Sequence, residues 1–225
     1  MELPGTALVV GASGGIGHAL AAHLEAHGVD VLRWSRRDDG LDITDESSIV
    51  SAVATLEEQT LDWVLIATGQ LSADGSHPER RFRELDAARM ADCFAVNTIG
   101  PALLIKHLAP RLPRDRPSVM AALSARLGSI GDNHLGGWMS YRVAKAGLNQ
   151  VIRCAHVEVQ RRYKQAVVVG LHPGTVDTAM TRRFHRGRTT ATAAESAAQL
   201  VEVLRARTPS DSGHIFDYAG KAIPF

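Results

Sequence analysis

A glycine-rich turn near the start of the chain constrains the fold more than any other segment. Residues 6–10 form a short apolar run typical of a buried strand, and apolar residues one turn apart predict a helix through about residue 28. Glycines between strand and helix let the backbone approach a pyrophosphate, and the helix N-terminus supplies free N–H groups. The segment predicts a nucleotide-binding unit, with contacts expected from Gly11, Ser13, Gly15, Ile16 and Gly17.

Strand-like and helix-like segments alternate along the rest of the chain. Apolar runs predict further strands at residues 29–34, 63–67, 118–123, 166–171 and 214–216. Helical periodicity predicts helices at residues 45–59, 86–112, 139–163 and 193–207. This βαβ order implies a mainly parallel sheet with helices on both faces. With 225 residues, the sequence predicts an α/β fold: a single doubly wound Rossmann-type domain over residues 1–225.

One connection is too short for this pattern. Too few residues separate Trp34 from Leu41 for a crossover helix, which needs a dozen or more. Residues 41–43 therefore form either a very short parallel strand or an extended loop. We expect the sheet to be trimmed at this edge.

Positive charge follows the second predicted strand. A dinucleotide fold often places an acidic residue there for the ribose hydroxyls, whereas this chain has Ser35, Arg36 and Arg37. A guanidinium matches phosphate geometry, so Arg36 is the strongest candidate for a 2′-phosphate contact, with Ser35 and Arg37 as helpers. The sequence predicts that NADP(H) is preferred and that NAD(H) is possible.

Tyr141 and Lys145 are a candidate proton-transfer pair. Residues at i and i+4 share a helix face, so the Lys145 ammonium is expected near the Tyr141 phenol. A nearby cation favours the phenolate, so we expect a pKa for Tyr141 below its ordinary value of about 10. Tyr141 would then donate a proton near neutral pH.

The chain resembles the short-chain dehydrogenase/reductase family over nearly its whole length. The resemblance rests on five ordered anchors: the glycine turn, Asp42-Ile43, Asn97 within Val-Asn-Thr-Ile-Gly, the Tyr141 and Lys145 pair, and Pro173-Gly174 followed by Thr178. The sequence around Ser124 and just before Tyr141 looks like that of the C-factor-like and small carbonyl-reductase branch. The resemblance implies hydride transfer between NADP(H) and a small carbonyl or alcohol substrate.

The family implies a role for each catalytic residue. Tyr141 would protonate the carbonyl oxygen on reduction, which meets the need to neutralise the alkoxide that hydride addition leaves. Lys145 would perturb Tyr141 and bond the nicotinamide ribose. Asn97 would hold a water that links Lys145 to bulk solvent.

The family also implies the remaining cofactor contacts. Asp42 and Ile43 would contact the adenine, and Gly69 would border the adenosine ribose through its backbone. The nicotinamide end would be formed by Pro173, Gly174, Val176 and Thr178.

The serine of the family pattern is displaced in this chain. Its usual position, three residues before a glycine after the fifth strand, holds Ala125. Three alternatives remain open: Ser124 fills the role from one residue away, Ser129 does so from the longer loop, or Tyr141 alone holds the substrate oxygen. We favour Ser124, although a structural hydroxyl explains it almost as well.

A basic segment, residues 180–188, occupies the place of the family's substrate lid. It would attract an anionic substrate or reach cofactor phosphates, or it is a solvated loop. Phe184 together with Trp138 and Met139 would line an apolar pocket.

Composition excludes several other classes of function. The net charge of +1 gives no general case for nucleic-acid or membrane binding, and no segment is apolar enough to cross a bilayer. The chain start lacks a signal-peptide pattern, so we expect a cytoplasmic protein. Cys93 and Cys154 are expected to be buried reduced thiols. His23 and His27 lack a third ligand, so no metal site is predicted.

Two further expectations concern assembly and the rival function. Family resemblance implies a homodimer or homotetramer built partly from helices around residues 102–112 and 147–159. The rival to an enzyme is a dinucleotide-binding sensor or signalling protein with little turnover, for which the displaced serine is the argument. Retention of Asn97, Tyr141 and Lys145 favours the enzyme.

Overall fold

A seven-stranded sheet organises the chain. The computed structural model describes residues 1–72, 77–184 and 190–225. The strands are β1 (Thr6–Val10), β2 (Asp30–Trp34), β3 (Trp63–Ile66), β4 (Ser118–Leu123), β5 (Ala166–His172), β6 (Ile215–Asp217) and β7 (Ala222–Ile223). Their order in the sheet is β2-β1-β3-β4-β5-β6-β7, and every pair is parallel except β6 with β7. The prediction of a mainly parallel, doubly wound sheet is confirmed.

Helices cover both faces of this sheet. They are α1 (Gly15–Ala26), α2 (Arg36–Asp39), α3 (Glu46–Ala54), α4 (Ala87–Phe94), α5 (Gly100–Leu108), α6 (Met139–Arg162) and α7 (Ala193–Arg205). Leu8 and Val10 of β1 join the core under α3, α5 and α6, whereas Ala7 and Val9 join the core under α1 and α7. This alternation follows from the period of two along a strand. Within the described ranges, no helix is long and apolar enough to cross a bilayer.

Two details differ from or extend the prediction. Residues 41–43 form no strand; the chain passes from β2 through the single turn of α2 and a loop to α3, so the trimmed edge is confirmed. The predicted long helix at residues 86–112 contains a π-helical turn, Ala95–Ile99, between α4 and α5. Such π turns are rare and occur mostly at functional sites, and this one contains Asn97.

The order of the strands fixes where a ligand can bind. After β2, the chain crosses β1 and adds β3 on its other side, so the connections diverge at the carboxyl ends of β1 and β3. In open α/β sheets, this divergence leaves a crevice that binds ligands.

Candidate active site

A cavity of about 840 Å³ opens at the carboxyl ends of the central strands. Val10, Ala67, Leu123 and His172, at or just beyond the ends of β1, β3, β4 and β5, all line it. Its volume falls within the usual range for cofactor and ligand pockets. The residues predicted for catalysis and cofactor binding line this cavity, except Gly17, Asn97 and the alternative serine Ser129.

The glycine turn forms one end of the cavity. Gly11 has a φ of +89°, which favours glycine, and a Cβ on Gly17 would lie 2.2 Å from the Gly11 carbonyl oxygen. A side chain at Gly17 would therefore push the helix away from the turn, and one at Gly11 would be strained and would press on the backbone of Ala67. Helix α1 has no side-chain cap at its N-terminus, so its first N–H groups face the cavity beside Ser13 and Ile16. Free N–H groups at a helix start suit a phosphate.

Arg36 and Arg37 border the same end of the cavity. Arg37 pairs with Asp38 at 3.1 Å, whereas no ion pair ties Arg36 to any residue of the described ranges. Ser35 is buried, and its hydroxyl donates to Asp38 and accepts from the Asp38 N–H as the cap of α2. Arg36 is thus the side chain that is free to meet a phosphate.

Local hydrogen bonds hold the wall that is predicted to contact the adenine. Asp42 accepts from the Thr44 N–H at 2.9 Å and hydroxyl at 2.7 Å, and these bonds lower the pKa of the Asp42 carboxyl. Ile43 is buried against Gly100, and a Cβ added to Gly100 would lie 2.8 Å from Ile43 Cδ1. Both residues line the cavity.

Helix α6 presents Tyr141 and Lys145 to the middle of the cavity. Lys145 is buried, and its Nζ donates to the Leu123 carbonyl at 2.8 Å and lies 5.7 Å from the centroid of the Tyr141 ring. Burial lowers the pKa of Lys145 to about 8. Burial, with a smaller effect of the neighbouring Cys93, raises the pKa of Tyr141.

The expectation that Lys145 lowers the pKa of Tyr141 is therefore wrong for the described side chains. Tyr141 is half-buried, and the partial loss of hydration disfavours the phenolate, while the Lys145 ammonium is held by the Leu123 carbonyl rather than by the phenol. The consequence is a phenol that stays protonated over the whole neutral range.

Asn97 is fully buried on the π-helical turn. Its amide accepts from the Gln70 N–H at 3.2 Å and donates to the carbonyls of Gln70 at 2.8 Å and Cys93 at 3.0 Å. A Cβ on Gly69 would lie 3.2 Å from Asn97 Oδ1 and 3.6 Å from Lys145 Nζ. Gly69 thus keeps open the space between these two groups.

The three positions considered for the serine differ in their surroundings. Ser124 lines the cavity, and its hydroxyl donates to Asn149 Oδ1 at 2.6 Å. Ala125 also lines the cavity, whereas Ser129 lies off it and its Oγ accepts from the Asp132 N–H at 3.1 Å.

The segment that is predicted to form the nicotinamide end follows β5. Pro173, Gly174, Val176 and Thr178 all line the cavity. The Thr178 methyl group lies against the glycine turn, 2.9 Å from where a Gly15 Cβ would stand. The segment after β5 and the glycine turn therefore enclose the same space.

Aromatic rings close the cavity above Tyr141. The Trp138 ring meets those of Phe184 at 5.1 Å and Tyr141 at 6.4 Å between centroids, both edge to face. Met139 is not among the lining residues, contrary to the predicted pocket. Residues 185–188 of the basic segment lie outside the described residues. The expectation that this segment attracts an anionic substrate or reaches cofactor phosphates therefore stays a prediction.

Sequence reasoning missed several polar groups at the site. His172 and Arg126 line the cavity; burial lowers the pKa of His172 to about 4, and Arg126 pairs with Asp132 at 2.8 Å and Asp217 at 3.3 Å. Glu79 is buried against the start of α6. In the sequence, only the position of His172 directly before Pro173, at the end of β5, could have indicated that it lies at the site.

The cysteines and the His23–His27 pair form neither a disulfide nor a metal site among the described residues. Cys93 and Cys154 are both free, and Cys93 is buried as expected, but Cys154 is exposed on α6. His23 and His27 stack with ring centroids 4.4 Å apart. No cluster of three metal-ligating side chains occurs in the part of the chain that the structure describes.

Comparison with known proteins gives relatives over nearly the whole chain. A family model described as enoyl-(acyl carrier protein) reductase matches residues 11–214. The 1-hydroxy-2-glutathionyl-2-methyl-3-butene dehydrogenase of Rhodococcus sp. (strain AD45) is 31% identical over 222 residues, which cover 92% of this chain and 94% of that protein. C-signal of Myxococcus xanthus is 33% identical over 144 residues, or 63% of this chain and 82% of the relative.

A solved structure matches the fold closely. It is a short-chain dehydrogenase/reductase of Burkholderia multivorans with bound NADP, with a TM-score of 0.84 and 27% identity. The match covers 99% of this chain and 100% of that one.

Proposed function

The chain belongs to the short-chain dehydrogenase/reductase family, and we propose that it transfers a hydride between NADP(H) and a small carbonyl or alcohol substrate. One observation carries the proposal: a single cavity joins an uncapped, glycine-lined helix start to a half-buried Tyr141 beside the buried Lys145. A nucleotide-binding module needs the first feature. Only an enzyme that moves protons has use for the second.

The described residues fit an NADP(H) molecule. Thr68 Oγ1 and His172 Nδ1 are buried on the cavity wall without a hydrogen-bond partner among the described residues, as expected where a polar ligand belongs. The glycine turn and α1 would hold the pyrophosphate, and Arg36 the 2′-phosphate. The cofactor supplies a hydride to the carbonyl carbon.

Tyr141 donates the proton in this proposal. Its raised pKa keeps the hydroxyl protonated, and the oxygen of the reduced carbonyl takes that proton as charge develops on it. Lys145, with one N–H bonded to Leu123, keeps two N–H groups for the ribose and for the proton path. A water beside Gly69 would bond Lys145 on one side and Asn97 on the other, completing the path to solvent.

The activity should depend on the charge of Lys145. Because the pKa of Lys145 is about 8 and Tyr141 titrates far higher, kcat/KM for reduction should be level below pH 8 and fall above it. In Lys145→Arg, whose guanidinium stays charged, any remaining activity should lose this fall. Stopped-flow oxidation of NADPH between pH 6 and pH 10 measures both profiles. A wild-type profile that stays level to pH 10 would contradict the role of the Lys145 charge.

Ser124 is assigned the second hydrogen bond to the substrate oxygen. In the present arrangement its hydroxyl donates to Asn149, whose Nδ2 is buried and unpaired among the described residues. A half-turn of the Asn149 amide would let Nδ2 donate to Ser124 and free the serine proton for the substrate.

The two serines can be compared directly. Ser124→Ala should lower kcat about 100-fold, the lower end of the loss expected for one donor to a developing oxyanion, because the site keeps Tyr141. Ser129→Ala, which removes a hydroxyl off the cavity, should leave kcat unchanged. A large fall for Ser129→Ala alone would reverse the assignment.

The aromatic wall favours an apolar, planar substrate. Trp138 and Phe184 face the space beside Tyr141, while the nearby cation Arg126 is neutralised by two carboxylates and His172 is uncharged. Aryl aldehydes and aryl ketones should therefore have higher kcat/KM than straight-chain carbonyls of equal carbon number. Trp138→Leu should lower the kcat/KM ratio of aryl to straight-chain carbonyls about tenfold. Leu135→Ala, at a residue 90% exposed, is the matched control.

A specific observation keeps one rival function open. C-signal is among the relatives, and the usual serine position holds Ala125, so a dinucleotide-binding signalling protein with little turnover is the second candidate. NADPH fluorescence on binding, measured beside a carbonyl panel, separates the two. Binding without any reduction across the panel would favour the signalling function.

Assembly and location are further proposals, supported by the family and by the surface of α6. We propose a homodimer or homotetramer, because Val143 and Val157 on α6 are 43% and 50% exposed and would be covered by a second copy. The two free cysteines suit the reducing cytoplasm, where we place the protein. Light scattering of the purified protein decides the assembly, and a monomer at micromolar concentration would contradict it.

A further inference from the structure

Glu79 is a buried carboxylate that the proposed reaction does not use. It lies in the connection between β3 and α4, it is 7% exposed, and no cation pairs with it among the described residues. Burying a carboxylate without a cation is unfavourable unless hydrogen bonds replace its water. Its partners therefore indicate what it does.

Within the described residues, the hydrogen bonds of Glu79 go to the start of α6. One carboxylate oxygen accepts from the Ser140 hydroxyl, and the other accepts from the Ser140 N–H at 3.4 Å. The Glu79 main-chain carbonyl accepts from the Trp138 N–H. Glu79 thus binds Ser140, which directly precedes Tyr141, and Trp138, which lies three residues before Tyr141.

The start of α6 has no side-chain cap from its own N-cap residue. Its capping position is Trp138, which has a φ of +53° in the left-handed region and makes no side-chain capping bond. Gly136 and Gly137 before it also have positive φ values, so three successive residues share this conformation. A bulky residue there is strained and persists only when its surroundings hold it. Arg142 of the same helix donates to the carbonyls of Gly136 and Gly137, but Trp138 and Ser140 are held from another segment by Glu79. The negative charge of Glu79 also suits the positive end of the helix.

We propose that Glu79 is a positioning residue for Tyr141 and Trp138. By capping α6 in place of a local side chain, it fixes the direction in which the first turn presents the phenol and the indole to the cavity. It touches neither the cofactor contacts nor the substrate. The proposal rests on the proposed reductase function only for its kinetic readout.

The test compares Glu79→Ala and Glu79→Gln with Glu84→Ala. Glu84 lies in the same connection and bonds Arg80 rather than α6, so it controls for loss of a carboxylate there. Glu79→Ala should lower kcat about 30-fold, because a misplaced proton donor affects the chemical step, and leave the Kd for NADPH within threefold. Glu79→Gln keeps an acceptor and the size of the side chain, and should recover most of kcat.

A second readout does not need turnover. Acrylamide quenches exposed tryptophans, and Trp138 is partly exposed while Trp34 and Trp63 are buried. Glu79→Ala should raise the quenching constant at unchanged circular dichroism, and Glu79→Gln and Glu84→Ala should not. If the wild type reduces no carbonyl but quenching rises, the reductase function fails and the positioning role stands. Unchanged quenching, or a folded Glu79→Ala with kcat within threefold of wild type, would overturn the role of Glu79.

Discussion

Replacing Tyr141 by Phe should lower kcat for carbonyl reduction about 1,000-fold and leave the Kd for NADPH within threefold. In the proposed mechanism the phenol supplies the proton that neutralises the product oxygen, and a positioned general acid contributes about 100- to 10,000-fold. The raised pKa of the phenol also means that no other protonation state of Tyr141 substitutes for it at neutral pH. Single-turnover oxidation of NADPH, with binding followed separately by fluorescence, measures the two quantities.

Tyr218→Phe is the matched control for this change. It removes the same hydroxyl from a residue that is 44% exposed and is not among the cavity-lining residues. The control should keep wild-type kcat. A Tyr141→Phe protein that retains a tenth or more of wild-type kcat would show that the proton comes from another group.

Replacing Arg36 by Asp should lower the affinity for NADPH relative to NADH about 100-fold. The change removes a charge-assisted hydrogen bond to the 2′-phosphate and places a like charge beside it, and bonds to charged groups contribute about 1.5–3 kcal/mol. Arg36 is the freer of the two arginines, because Arg37 is already paired with Asp38. Kd values for both cofactors, measured at one salt concentration, give the ratio.

The comparison variant is Arg37→Asp, which should shift the ratio by less than tenfold. Its side chain is already occupied by a carboxylate, so less of its charge reaches a bound phosphate. An unchanged ratio in Arg36→Asp would exclude a phosphate contact by Arg36.

Local sequence patterns were enough to predict most of the fold and the placement of most site residues. The apolar runs at β1, β3 and β4 are buried in full or nearly so, and parallel strands separated by helices allow few topologies. The two-residue strand β7 was missed, because so short an antiparallel edge has no periodicity to read. The loop at residues 41–43 stayed undecided for the same reason.

Features that depend on burial or on distant contacts could not be predicted. The i, i+4 spacing of Tyr141 and Lys145 indicates a shared face but gives neither the desolvation of the phenol nor the bond from Lys145 to Leu123. Glu79 reads as an ordinary loop residue in sequence, since Ser140 lies 61 positions away. The π-helical turn at Asn97 is likewise a tertiary feature, because its amide binds the segment after β3.

The central claim is that this chain moves a hydride from NADPH to a carbonyl carbon while Tyr141 supplies the proton. The most direct measurement uses NADPH deuterated at the transferable position with a panel of aryl aldehydes and ketones, followed by mass spectrometry of the alcohol. We predict one deuterium on the carbinol carbon with the wild type and almost none with Tyr141→Phe. NADPH that binds tightly but leaves no deuterium in any product would contradict the account.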